Sequence, residues 1–257
     1  MISRRNLLFG AAFSSCGCCL ALDSSEAWPG SSCRDSAELQ SNGSSAGCLL
    51  AEDKREDVLS KIKFSLLDKD IRTIAIFARI QSIMEHLYEV KPDFEFYDDS
   101  DGPNAYATPE RVTGGCDTSG AVIFGENLLL SEKNTSDMWG SAITLIMGHE
   151  YGHISQYKIG SIFPAAVQKE LHADYLGGWA LGRINRADLS HNLIQVLDVG
   201  TAAISIFKKG SYDYNNKGFH GTPEQRKQAV LEGYKSGFSG MSVNAAFNTG
   251  RQVLGLP

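Results

Sequence analysis

Two histidines stand four residues apart in the segment His149–His153, which reads HEYGH. The surrounding pattern predicts a helix, and residues four apart lie on one helical face, so both imidazoles can reach one metal ion. Glu150 lies one residue on, beside the open coordination position, where a carboxylate can take a proton from water that the ion activates. The segment therefore predicts a metal site with His149 and His153 as ligands and Glu150 as general base.

Two carboxylates further along the chain fit the same site. A catalytic zinc ion commonly has three protein ligands, and two His with one Glu is one such set. Glu170 follows His153 by 17 residues, near the start of the next predicted helix, which leaves room for a turn and an antiparallel return. Asp174 is four residues further on the same face, placed to accept a hydrogen bond from the far nitrogen of a ligand histidine. Glycine at position 152 would let another segment approach the first helix closely.

The elements that must position these residues are mostly helices. Apolar residues recur at three- and four-residue spacing, first at Val58, Ile62 and Leu66 and then at Phe77, Ile80, Met84 and Leu87. This predicts helix from 52 to 89, with 68–70 as a break or a polar step. Thr222 predicts a capping box with Pro at the first helical position. The later predicted helices cover 137–158, 165–185, 187–207, 223–236 and 241–254.

Three short strands are predicted between these helical regions, at Phe94–Tyr97, Asn104–Ala107 and Ala121–Phe124. Helices followed by a small sheet and more helices indicate an α+β fold in one domain. We therefore expect a mainly helical domain over residues 49–257, with a small three-stranded sheet and an active-site helix that carries HExxH.

The segments HEYGH and, from Glu170, ELHAD resemble the gluzincin metallopeptidases, whose pattern is HExxH followed by Glu-x-x-x-Asp. The likeness is closest to neutral zinc metallopeptidases of bacteria and to HtpX-like metallopeptidases. Their downstream segments resemble 173–180 and His220–Arg226, and Asn104–Ala107 resembles the strand at the rim of gluzincin clefts. The resemblance covers about residues 104–236 and implies a compact core, one Zn²⁺ and peptidase activity. It also implies His149, His153 and Glu170 as ligands, Glu150 as base and Asp174 as the residue that orients a ligand.

A hydrolase of this kind also needs a hydrogen-bond donor for the oxyanion of the tetrahedral intermediate. His220, just before the capped helix, is the first candidate, and Tyr212 or Tyr214 is the next. Arg226 is expected either to tie its helix to the site or to lie on a solvated face. His172 points away from Glu170 in helical projection and is not expected to be a ligand. His86 and His191 are expected to be structural or solvent-facing.

The first 27 residues have the layout of an export signal. Arg4 and Arg5 precede the apolar stretch 7–22, and small residues at Ser25 and Ala27 offer a cleavage site. This order resembles the bacterial twin-arginine signal and predicts export to the periplasm or secretion. A lipid anchor at Cys16 fits less well, because the three residues before it match a lipobox poorly.

Residues 28–48 are rich in Ser, Gly and Asn, which predicts a flexible linker. Cleavage of the signal would leave Cys33, Cys48 and Cys116. An oxidising compartment then permits one disulfide and leaves one thiol. Cys33 and Cys48 are local neighbours, but the sequence does not decide which pair forms.

Composition limits the partners. The 24 Lys and Arg against 30 Asp and Glu give a net charge of −6 without a basic cluster, which argues against nucleic acid. No apolar run reaches the roughly 18 residues of a spanning helix, so no transmembrane helix is predicted in the mature chain. The expected partner is a peptide or protein substrate.

Two hypotheses follow for the function. The first is an exported zinc-dependent endopeptidase in which Glu150 assists the attack of water on a peptide bond. The second is a zinc-binding envelope assembly or binding module that does not cleave. A carboxylate at position 150 argues for the first, because a purely structural zinc site has no use for a base there.

Overall fold

The structure is a computed structural model that describes residues 52–63, 70–112, 119–191, 198–210, 212–213 and 219–255. All of them belong to one compact unit, Gln40–Pro257. The predicted export signal and linker, the cysteines and Tyr214 lie outside the described residues. Among those described, no helix combines the length and the apolar character needed to cross a membrane.

The described residues confirm an α+β fold that is mainly helical. The helices are α1 Glu52–Ser60, α2 Ile71–Tyr88, α3 Glu126–Thr135, α4 Trp139–Ile159, α5 Ala166–His191, α6 Val199–Lys208, α7 Pro223–Phe238 and α8 Val243–Val253. The strands are β1 Ile62–Lys63, β2 Asp93–Tyr97, β3 Ala105–Thr108 and β4 Ala121–Gly125.

The sheet has the strand order β1-β2-β4-β3. Strand β4 pairs in parallel with β2 and antiparallel with β3, so the three predicted strands form one mixed sheet. The two-residue strand β1 extends it by antiparallel pairing with β2. All five residues of β4 are buried. The ring of Phe77 on α2 lies 5.2 Å from that of Phe124 on β4, so the predicted apolar stripe of α2 packs on the sheet.

The predicted helix over 52–89 is interrupted. Ile62 pairs with Tyr97 as part of β1, so Val58 and Ile62 do not share one helical face as their spacing indicated. The third residue of that stripe, Leu66, lies outside the described residues. Helix α2 begins after Asp70, whose side chain accepts a hydrogen bond from the backbone N–H of Arg72. Of the two alternatives, a break or a polar step within one helix, the structure therefore has a break at Asp70.

Two other helix predictions need correction. Helix α5 runs without interruption through residue 186 to His191, and Asn185 in this stretch donates a side-chain hydrogen bond to Tyr234 on α7. The predicted helix 187–207 is therefore wrong at its start, and α6 is a separate helix. Helix α3 was not predicted at all. Its N-terminal N–H groups on Asn127 and Leu128 donate to the carboxylate of Asp99, a cap from a distant part of the chain.

Helices α4, α5 and α7 pack at very short range. The Cα of Ala173 lies 3.3 Å from where a Cβ of residue 152 would stand, so the predicted close approach at that glycine is confirmed. Between α5 and α7, a Cβ on Gly178 would clash with the carbonyl of Val230, and one on Gly233 with the carbonyl of Tyr175. This packing brings Asp174 of α5 against both α4 and α7.

Candidate metal centre

Three side chains predicted as ligands converge at the contact between α4 and α5. The Nε2 atoms of His149 and His153 are 3.1 Å apart. The Glu170 carboxylate oxygens lie 3.4 Å from the first of these nitrogens and 3.5 Å from the second. The three residues are 2%, 0% and 0% exposed. Their ligand atoms all lie within 4.8 Å of one another, so the group can hold a metal ion.

The separation of the two histidine nitrogens suits a small four-coordinate ion. Bonds of about 2.0–2.1 Å in a tetrahedron place neighbouring ligand atoms about 3.3 Å apart, which is close to the 3.1 Å between the two Nε2 atoms. Each histidine also uses its Nδ1 in a separate hydrogen bond. Nδ1 of His149 lies 2.8 Å from Oδ1 of Asp174, and Nδ1 of His153 lies 2.8 Å from Oε1 of Gln156. The predicted contact between Asp174 and a ligand histidine is thus present.

These contacts assign the ring hydrogens. Both partner atoms are acceptors, so in each neutral imidazole Nδ1 carries the hydrogen and Nε2 carries the lone pair. The lone pairs of His149 and His153 then face each other across 3.1 Å in a buried space beside the Glu170 carboxylate. A metal ion between the two nitrogens would accept both lone pairs. The donor set therefore fits a metal ion.

Arg226 completes the support on the side of His149. Its Nε donates to Oδ2 of Asp174 at 2.7 Å, and its Nη2 donates to Oδ1 at 2.8 Å. Burial alone would raise the pKa of Asp174, but the charge of Arg226 and its hydrogen bonds hold that pKa below the usual range. Of the two roles predicted for Arg226, the structure therefore has the one that ties its helix to the site.

Gln156 was missed by the sequence prediction. It lies three residues after His153 on α4, and this spacing places its amide beside the ring of His153. A search for hydrogen-bonding side chains three or four residues from each ligand would have found it. Gln156 is 1% exposed and supports one ligand as Asp174 supports the other.

Glu150 faces the same region from α4. It is buried, and among the described residues its Oε2 has no hydrogen-bond partner. Burial raises the pKa of Glu150 to about 8, an effect that His149 opposes and the negative charge of Glu170 reinforces. A buried carboxyl group with a strongly raised pKa is a candidate for a functional residue.

A cavity of about 210 Å³ adjoins the site. His149, Glu150 and His220 line it, together with Asn104 and Ala105 at the start of β3. The remaining lining residues are Pro103, Leu128, Ile146, Ile206, Lys209 and Arg226. Glu150, His149 and His220 therefore share one space.

His220 lies at the site as predicted. Its Nδ1 is 3.5 Å from Oε2 of Glu170 and its side chain is 24% exposed. Burial lowers the pKa of His220, although Glu170 opposes that shift. Tyr212, the next candidate for the oxyanion, is 61% exposed, and its hydroxyl donates to Glu224 at 2.7 Å instead of lining the cavity. His172 lies outside the group of His149, His153 and Glu170, and its ring nitrogens contact Gln156 and the carbonyl of Phe247.

Comparison of the chain with protein families, with curated proteins and with solved structures found no match. The resemblance to gluzincins therefore stays a prediction from short motifs. The site itself is a buried group of two imidazoles and one carboxylate beside a cavity.

Proposed function

We propose that this protein is a zinc-dependent peptidase. The observation that carries the proposal is the convergence of His149, His153 and Glu170 beside a cavity that His149 and Glu150 line. Two imidazoles and one carboxylate form a ligand set typical of catalytic zinc. A zinc ion held by these three residues would supply Lewis acidity, which makes water more acidic and polarises a carbonyl.

The residues around the ligands would transfer the proton, stabilise the oxyanion and orient the ligand rings. Glu150 takes a proton from water as the water oxygen bonds to the peptide carbonyl carbon, and it then gives that proton to the leaving amine as the C–N bond breaks. His220 lies on the same cavity and can donate a hydrogen bond to the carbonyl oxygen as negative charge develops there. Asp174 and Gln156 keep the ligand rings in place.

The substrate would be an extended peptide. Strand β3 stands at the end of the sheet, and its first residue, Ala105, lines the cavity with Asn104. An extended segment can add to such an edge through backbone hydrogen bonds. This placement would carry a peptide bond past Glu150.

Glu150→Gln tests the mechanism. The amide keeps the size of the side chain but cannot take the proton, so the variant should bind zinc like the wild type and lose peptide hydrolysis. Glu232→Gln on α7 is the matched control and should keep activity. The Glu232 carboxylate does not line the cavity, and it pairs with Lys235 at a distance of 2.7 Å. Metal content by atomic absorption and digestion of a peptide library are the measurements. Equal hydrolysis by wild type and Glu150→Gln would refute the mechanism.

A binding or assembly module that holds zinc without cleavage is the second candidate. The burial of the ligands and the small size of the cavity favour it, because both restrict access of a polypeptide. A zinc-loaded protein that leaves every member of a broad peptide library intact would support this candidate over the peptidase.

We also propose that the protein is exported through its N-terminal signal. Cleavage after Ala27 predicts a mature chain that begins at Trp28. N-terminal sequencing of the protein from the cell envelope or the medium checks this. An uncleaved chain found only inside the cell would contradict it.

A further inference from the structure

We infer that Gln156 is a positioning residue for His153, and that its amide is held in one orientation by a hydrogen-bond chain that ends on helix α8. The inference depends on the metal-binding role of His153 in the proposed function. It adds a residue and a physical connection that the ligand motifs do not contain.

Four contacts form the chain. Oε1 of Gln156 lies 2.8 Å from Nδ1 of His153. Nε2 of Gln156 lies 3.0 Å from the carbonyl oxygen of Lys169 and 3.1 Å from Nδ1 of His172. Nε2 of His172 then lies 2.9 Å from the carbonyl oxygen of Phe247 on α8. The chain thus joins α4, α5 and α8.

Each hydrogen in the chain has one consistent place. The Lys169 carbonyl only accepts, so the NH₂ group of Gln156 must face it, and Oε1 must face His153. His153 therefore carries its hydrogen on Nδ1 and presents the Nε2 lone pair to the ligand group. The same NH₂ group makes Nδ1 of His172 an acceptor, so His172 donates from Nε2, which matches the Phe247 carbonyl that it contacts. Two backbone carbonyls thus determine the tautomer of a metal ligand.

Burial leaves the amide of Gln156 and the two histidine rings with only these hydrogen-bond arrangements. His153 and His172 are buried and Gln156 is 1% exposed, so water cannot replace a lost partner. Reversing the amide would place its NH₂ beside His153 and its oxygen against the Lys169 carbonyl, where two acceptors would face each other. The ring of His172 is also held by Phe247, with ring centroids 4.6 Å apart.

The two ligand histidines are therefore supported differently. His149 is held by the charged carboxylate of Asp174, which Arg226 pairs, whereas His153 is held by a neutral amide. The amide can accept from His153 and donate to Lys169 and His172 together, which a carboxylate cannot do. This explains why Gln, rather than Glu, suits position 156.

The first test needs no variant. Long-range ¹H–¹⁵N NMR spectra of the ring nitrogens distinguish the two imidazole tautomers in the full-length protein. We expect the Nδ1–H form for His153 and the Nε2–H form for His172, in the metal-free protein at neutral pH. The opposite tautomer at His153 would overturn the inference. Because no metal is needed, this result is independent of whether the protein binds zinc or cleaves peptides.

The second test compares Gln156→Leu with Gln156→Glu. Both variants lose the donors to Lys169 and His172, so both should be less stable than the wild type. Only the leucine variant loses the acceptor for His153. We therefore expect its affinity for Zn²⁺, measured by competition with a chromophoric chelator, to fall about 10- to 100-fold, and the glutamate variant to stay closer to the wild type.

Gln168→Leu on α5 is the matched control. The same substitution is made two residues from Glu170, but Oε1 of Gln168 accepts no hydrogen bond in the described part of the chain. Its affinity for zinc should be unchanged. The absorption spectrum of bound Co²⁺ adds a second readout, and it should change in Gln156→Leu and persist in Gln156→Glu. Wild-type affinity in Gln156→Leu, or equal losses in both Gln156 variants, would overturn the inference.

Discussion

Arg226 and Asp174 form a buried ion pair through two hydrogen bonds of 2.7 and 2.8 Å. Oδ1 of Asp174 also lies 2.8 Å from Nδ1 of His149. One carboxylate thus links α7 and α5 to His149 on α4. The ion pair keeps Asp174 ionised, so that it can accept the hydrogen of the His149 ring.

Removing the arginine should leave a buried charge without compensation. We expect Arg226→Met to lower the free energy of unfolding of the metal-free protein by about 3–5 kcal/mol. Arg226→Lys should lose less, because it keeps the charge but not the two-point contact. Urea unfolding followed by circular dichroism measures both. Arg72→Met, at an exposed position of α2, is the control and should change stability by less than about 0.5 kcal/mol.

A double substitution tests the pairing itself. Arg226→Met combined with Asp174→Asn removes both charges, so the double variant should be more stable than the sum of the two single losses predicts. Strictly additive losses would show that the two side chains do not act as a pair.

The close contact of α5 and α7 gives a second prediction. A methyl group at Gly233 would meet the carbonyl of Tyr175, which cannot move without shifting α5. Gly233→Ala should therefore cost about 1–3 kcal/mol, as overpacking does in other cores. Gly140→Ala on α4 is the control, since among the described residues no atom outside its own helix backbone and chain neighbours lies within 4 Å of its added Cβ, and it should stabilise the helix by about 0.5–1 kcal/mol. Thermal unfolding of the two variants should move in opposite directions, and a neutral Gly233→Ala would contradict the contact.

Tyr88 gives a third prediction. Its buried hydroxyl lies 2.7 Å from the carbonyl of Gly148 on α4 and 2.8 Å from that of Leu176 on α5, where the two helices cross. Tyr88→Phe removes the donor and should cost about 0.5–1.5 kcal/mol of unfolding free energy. Tyr212→Phe, whose hydroxyl is exposed, should have almost no effect. Equal stability of Tyr88→Phe and the wild type would show that the hydroxyl does not secure the crossing.

The sequence could predict what depends on local spacing. The helical period places His149 and His153 on one face of α4, where the structure has their rings in contact, and the capping box at Thr222 predicts the start of α7, where the structure has both of its hydrogen bonds. The predicted strands follow from short apolar runs between turns. In each case residues that are close in sequence determine the outcome.

What the sequence could not predict depends on distant residues. Helix α3 lacks a side-chain cap from its own N-cap residue, Gly125, and is capped by Asp99 instead. The choice between the two roles of Arg226 is decided by the packing of α7 on α5, and the amide of Gln156 is oriented by Lys169 from another helix. Such contacts appear only when the helices are in place.

The two facing histidine nitrogens give the last prediction. Zn²⁺ held between these nitrogens, which are 3.1 Å apart, would bind the folded state and not the unfolded chain, so it should stabilise the folded state. Free zinc at 100 times its dissociation constant should add about 2.7 kcal/mol, which corresponds to a rise of about 5–10 °C in Tm. His153→Ala removes a ligand and should abolish most of the rise, whereas His86→Ala at an exposed position of α2 should keep it. A zinc-induced shift of equal size in both variants would place the metal elsewhere on the protein.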